Sequence, residues 1–182
     1  MEATRILDAF DSAAPARRAA RIAAFVLFTA TGAQLAVYLP WTPVPVTMQT
    51  LFVALAGIAL GPRDGAAAMI AYLALGAAGG PVFAGFSFGP AILFGPTGGY
   101  LFMFPAAAAL SGAVARALGG RRGSFAAALA GSAAIMAGGA SYLALLGGWG
   151  IGTALAMGVY PFLAGEALKA GLAAVLAGRR TR

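Results

Sequence analysis

The chain has 182 residues, of which 61% are hydrophobic and 9% charged, with a net charge of +7. Soluble domains carry about 25% charged residues, so too little polar surface is available here to cover a water-soluble globule. There is no cysteine and no histidine, which excludes disulfides, thiol chemistry, imidazole metal sites, His-based proton relays and a Ser–His dyad. The basic residues fall in short clusters between long apolar stretches, a pattern of membrane topology rather than of a nucleic-acid-binding face.

In chain order, residues 1–20 read as a cytoplasmic N-terminal segment. Ile6, Leu7 and Phe10 alternate with Arg5, Asp8 and Asp11, a mildly amphipathic pattern that suits the membrane surface. No cleavable signal peptide is expected, because a polar stretch through Arg21 precedes a long apolar segment. Residues 21–182 read as a membrane domain. Six spans are predicted, at about 21–39, 47–60, 66–78, 97–118, 125–146 and 154–177, given that a crossing helix needs roughly 20 apolar residues. The second and third are short and could tilt or re-enter the membrane against protein. The fold class is therefore an all-α integral membrane protein, a six-helix bundle.

Charge fixes the orientation. With six spans, every arginine falls on one side: Arg5, Arg17, Arg18 and Arg21 before the first, Arg63 between the second and third, Arg116, Arg121 and Arg122 between the fourth and fifth, and Arg179, Arg180 and Arg182 at the end. The other three loops, 40–46, 79–96 and 147–153, carry no charge. Basic loops stay cytoplasmic, so both termini are expected inside. Small residues crowd the spans and let helices approach closely. Ala19 with Ala23 and Ala20 with Ala24 form one such face, and residues 131–140 another. Either serves internal packing or docking of a second membrane subunit.

Two charged residues are placed within the membrane, Glu166 and Lys169 in the sixth span. Spacing of three sets them on one helix face, and a charge in the bilayer costs enough that the pair must face the bundle interior or a wet cavity. Two readings stand: a self-neutralising structural pair, or a polar ligand site. Glu166 offers only acceptors and Lys169 only donors, which suits a ligand with N–H groups beside a carbonyl, as in a cyclic urea. The uncharged loops offer pocket material. The segment 40–50, with Thr47 and Gln49, holds Pro40, Pro43 and Pro45 and should be extended. Phe83, Phe86 and Phe88, spaced by glycine, suit an aromatic wall or interface anchors. Gly95-Pro96-Thr97-Gly98-Gly99-Tyr100 opens the fourth span; it lacks the lysine of a phosphate loop.

Together these segments resemble the BioY family, the biotin-specific substrate-binding (S) components of energy-coupling factor (ECF) transporters. The matching stretches are Pro45 to Thr50, Gly61 to Gly65, Pro81 to Gly85, Gly95 to Tyr100 and Pro161 to Glu166 with Lys169, in order across nearly the whole chain. The resemblance implies a six-helix bundle in the plasma (inner) membrane, with a lid after the first helix closing over an outward-facing site. It implies biotin as ligand, with Glu166 and Lys169 on the ureido ring, Tyr100, Thr97, Phe83 and Phe86 shaping the pocket, and Thr47 and Gln49 in the lid. It also implies a transmembrane coupling (T) subunit and two ATPase subunits as partners, with Ala19, Ala20, Ala23 and Ala24 as the candidate docking face. No cofactor or metal is implied, and no enzymatic activity. The family usually has Asp where this chain has Glu166 and Pro where it has Ala164. The alternatives are the same fold capturing another vitamin, and a structural membrane subunit in which the charged pair only neutralises itself.

Overall fold

The computed structural model describes residues 2–178, with side-chain surroundings from Pro15 to Ala177. Helix α1 runs Glu2–Gln34, followed by a short antiparallel hairpin of β1 (Ala36–Val37) and β2 (Val46–Thr47). Then come α2 (Gln49–Leu60), α3 (Pro62–Ala77), α4 (Pro90–Leu93), α5 (Gly98–Phe102), α6 (Phe104–Leu118), α7 (Gly120–Gly147), α8 (Ile151–Gly158) and α9 (Leu163–Gly178). Single 3₁₀ turns sit at Ala84–Phe86 and Tyr160–Phe162.

The expected helices form, but several have different limits. Helix α1 passes without interruption through the expected boundary at Ala20. The side chains of Ile6, Leu7 and Phe10, which carry the amphipathic pattern, lie before Pro15 and so outside the described side chains. The fourth expected span divides into α5 and α6 at Met103, just before Pro105, whose ring clashes with the preceding turn of a helix and whose nitrogen donates nothing. The sixth divides into α8 and α9 for the same reason: Val159 leaves helical geometry (φ −128°, ψ −59°) ahead of Pro161. Among the described residues, α7 with 28 residues and the α8–α9 pair with 27 are long and apolar enough to cross a membrane. At 1.5 Å per residue, α2 with its 12 residues reaches only about 18 Å of the roughly 30 Å hydrocarbon thickness.

Close backbone approach holds the bundle. Helices α2, α3 and α6 meet where they carry glycine. A Cβ on Gly57 would lie 2.0 Å from the Ala108 carbonyl oxygen, and one on Gly112 2.6 Å from the Pro62 nitrogen. Helix α7 packs in turn on α5, α6 and α9, and its small residues 131–140 are used against α5 and α6. Gly131 faces Ser111 and Gly139 faces the Tyr100 ring. This is the internal-packing reading of that stretch. The core is built of Val53, Met69, Tyr72, Phe83, Phe104 and Ile135, all nearly free of solvent contact.

Arginines collect at the α2–α3 turn. Arg18 donates three hydrogen bonds from two nitrogens to the Asp64 carboxylate, the shortest 2.7 Å, and Arg21 donates to the Ala59 carbonyl at 3.0 Å. Arg116 lies against Gly61, where a Cβ would meet its guanidinium. The Arg18 hydrogen bond holds the Asp64 carboxyl below its ordinary value. The hairpin and the 79–96 loop belong instead to the end where α1 finishes.

Candidate functional site

Helix α9 begins at Leu163, so Glu166 falls in its first turn and Lys169 one turn further along the same face. A helix N-terminus favours a carboxylate. Both side chains are buried, at 4% and 7% exposure. Burial at that level is tolerable only with full pairing, and the pairing is complete. Lys169 Nζ donates to Glu166 Oε1, to Thr50 Oγ1 at 2.8 Å and to the Thr47 carbonyl at 2.8 Å. Thr50 Oγ1 donates to Glu166 Oε1 at 2.9 Å, and Ser132 Oγ donates to Glu166 Oε2 at 2.5 Å. Among the described residues no buried side-chain polar atom lacks a partner.

This cluster forms part of the wall of a cavity of about 270 Å³, the scale of a site for one small molecule. Tyr38 and Pro43 to Pro45 line it from the segment after α1, and Phe83, Ala84 and Ser87 from the loop after α3. Thr97 and Tyr100 contribute from α5 and the residue before it, Ile135 and Met136 from α7, and Phe162 from the turn before α9. The surface is largely apolar, with one acid, one ammonium and a few hydroxyls converging on one side. Such a cavity binds a mostly apolar molecule that carries a compact polar head.

Of the expected site residues, Glu166, Lys169, Tyr100, Phe83, Gln49, Thr47 and Thr97 all line this one cavity. Tyr100 is held by its hydroxyl, which donates to the carbonyl of Gly158, the last residue of α8, at 2.8 Å. Phe83 is 1% exposed and packs edge-on against Tyr72. Gln49 opens α2 rather than riding on the hairpin; its Nε2 donates to the Tyr72 hydroxyl at 2.7 Å, which donates on to the Val82 carbonyl at 2.9 Å. Thr47 lies on β2, and its backbone carbonyl accepts from Lys169.

Phe86 departs from expectation. It does not line the cavity, and its ring is 67% exposed, as Phe88 is at 58%. The reason is the left-handed turn at Gly85 and Phe86, with φ of 66° and 57°. Of the three phenylalanines in this loop, only Phe83 lines the cavity. Two residues that matter escaped sequence reasoning. Thr50 and Ser132 supply the hydroxyls around Glu166, yet each sits in an apolar helix where a lone Ser or Thr ordinarily bonds its own backbone. The alanines proposed for docking, Ala19, Ala20 and Ala23, are exposed on α1, and Ala24 is half-buried.

A helical bundle with membrane-length apolar helices, enclosing a small cavity with a fully paired buried acid and ammonium, defines a membrane-embedded small-molecule binding protein. The chain belongs to the BioY family: residues 4–182 match the sequence model of that family. A probable biotin transporter BioY of Pyrococcus horikoshii is 40% identical over 164 residues, covering 90% of this chain and 96% of that one. The biotin transporter BioY of Rhizobium etli is 38% identical over 147 residues, covering 76% and 78%. Among solved structures, the S-component for biotin from an ECF-type ABC transporter superposes with a TM-score of 0.84 at 27% identity, covering 91% of this chain and 90% of that one.

Proposed function

We propose that this chain captures biotin at a membrane and serves its uptake as the S component of an ECF-type transporter. The observation that carries the reading is the Glu166–Lys169 cluster in the wall of an otherwise apolar cavity, in a chain of the BioY family. The ureido head of biotin has two N–H groups and a carbonyl. Glu166 can accept the first and Lys169 can donate to the second, while the thiophane ring and valeryl tail suit Phe83, Tyr100, Ile135 and Phe162. Capture requires exchange, because all three Lys169 donors are engaged within the protein. The Thr47 and Thr50 contacts are the ones a carbonyl would replace. Thr97 and Gln49 border the same space, and Thr47 joins the pair to the lid.

In this account residues 1–20 are cytoplasmic, residues 21–182 form a six-span domain of the plasma membrane with both termini inside, and the cavity opens outward. The arginines gathered at the α2–α3 turn support that orientation. Transport is energised by a T subunit and two ATPases, and the exposed alanine face of α1 is the surface offered to them. Binding of another vitamin is the competing reading, favoured only by the exchange of the family's usual Asp for Glu166.

The test is uptake of radiolabelled biotin by biotin-auxotrophic cells expressing this chain, with and without a T subunit and ATPases. Uptake that competes with unlabelled biotin and ignores thiamine and riboflavin supports the proposal. No uptake in either setting, from protein shown to be folded in the membrane, would refute it.

A further inference from the structure

Gln34 is the last residue of α1 and belongs to neither the charged cluster nor the cavity lining. Its amide nevertheless bonds to both ends of one turn in the loop after α3. Nε2 donates to the Phe83 carbonyl at 3.1 Å as well as to Ala30 of its own helix at 3.2 Å, and Oε1 accepts the Phe86 N–H at 2.9 Å. The two residues enclosed by those bonds at the C-terminal side, Gly85 and Phe86, both have positive φ. For a phenylalanine that conformation is unfavourable and persists only where its surroundings impose it. The Phe86 ring is exposed, so ring packing does not impose it. Hydrogen bonds do: the Phe86 N–H donates to Gln34 Oε1, and Ser87 also closes the turn, its carbonyl accepting the Phe83 N–H at 3.1 Å and its hydroxyl donating to the Ala84 carbonyl at 2.8 Å.

This turn sits between two parts of the site. Phe83 and Ala84, at its start, line the cavity. Gly85, at its crest, meets the segment after α1: a Cβ there would lie 2.8 Å from the Tyr38 hydroxyl, and Tyr38 lines the same cavity. We propose that Gln34 is a positioning residue for ligand retention, whose amide clasps the Phe83–Phe86 turn and so holds both the Phe83 wall and the seat against which Tyr38 of the lid closes. It touches the ligand only through the turn. The inference rests on biotin being the ligand.

The test compares full-length wild type with Gln34→Met and Gln34→Glu in detergent or nanodiscs. Met removes both bonds to the turn at similar size; Glu keeps the acceptor for Phe86 N–H and loses the donor to Phe83. Thr31→Ala is the control, since its hydroxyl bonds only Leu27 of the same helix in the structure. Two quantities are read: hydrogen exchange across 83–88 in the free protein, and the dissociation rate of labelled biotin. Gln34→Met is expected to speed both by about tenfold or more, the scale of losing one to two net hydrogen bonds. Gln34→Glu, which sets an acceptor-only carboxylate oxygen against the Phe83 and Ala30 carbonyls, should speed both at least as much, and Thr31→Ala should match wild type. Unchanged exchange in folded Gln34→Met, or faster exchange with dissociation within about twofold of wild type, overturns the proposal. If Met fails to fold, the Glu variant decides by the same criteria. Absence of biotin binding by wild type would defeat the functional reading beneath it; the exchange comparison, which needs no ligand, tells the two failures apart.

Discussion

Gly139→Ala puts the account of the pocket's rear wall at risk with a single methyl group. A Cβ at this position would lie 2.2 Å from Tyr100 Cδ1 and 2.3 Å from Cε1, where carbon atoms settle at about 3.5–4.0 Å. The Tyr100 ring must move by more than an ångström. Its hydroxyl tether to the Gly158 carbonyl at 2.8 Å opposes that shift, and the space open to the ring is the ligand cavity it lines. Overpacking costs about 1–3 kcal/mol, and the lost hydrogen bond about 1 kcal/mol more, so destabilisation of about 2–4 kcal/mol is expected. Because Tyr100 lines the cavity, biotin affinity should fall as well. The assay is unfolding in mixed detergent micelles beside a biotin titration. Gly171→Ala is the internal comparison: nothing lies within 4 Å of a Cβ there, and replacing a helical glycine should leave stability unchanged or raise it by up to about 1 kcal/mol. A Gly139→Ala protein within about 0.5 kcal/mol of wild type would refute the rigid seating of Tyr100.

Thr50→Val keeps the side chain's shape but removes one bond to Glu166 and one from Lys169; a loss of about 2–3 kcal/mol is expected, read by the same unfolding assay, with unchanged stability counting against the cluster as drawn. Tyr72→Phe strands the Gln49 amide and the Val82 carbonyl and should cost about 2–4 kcal/mol, while a cost under about 0.5 kcal/mol would mean the relay is already replaced by water. The Asp64 carboxyl is lowered by Arg18, so its contribution is present above the unfolded pKa of about 4 and is lost as pH falls through the lower folded value. Stability profiles of wild type and Asp64→Asn should therefore run parallel near neutrality and converge below about pH 4. A difference that widened on acidification would reverse the sign.

Much of this arrangement was legible because it follows from strong local physics. Prolines at 40, 43 and 45 rule out helix, and a hairpin with an irregular tip stands there. Gly61-Pro62 ends one helix and begins another, with φ of 87° at the glycine. A lone acid and lysine three apart in an apolar segment could only turn inward. What escaped depends on distances across the chain. Ser132 is 34 residues from Glu166, and Thr50 is 116 away; no periodicity marks two hydroxyls in apolar helices as partners of a carboxylate. Phe86 is expected in the pocket from its glycine-spaced aromatic neighbours and from the family resemblance, neither of which carries the left-handed turn that leaves it outside the cavity lining. Within 97–118 and 154–177 the helix breaks ahead of Pro105 and Pro161, and apolar content, the same on either side of a break, does not mark it.

The most direct measurement is a calorimetric titration of biotin into the purified chain, beside Glu166→Gln and Lys169→Met. These variants keep size and remove charge. Wild type should bind at micromolar affinity or tighter, and each variant should lose roughly 2 kcal/mol or more of binding free energy, the scale of a buried charged hydrogen bond. Folded wild type that gives no biotin heat would contradict the ligand. Tight binding retained by both variants would contradict the site, leaving Glu166 and Lys169 as a structural pair.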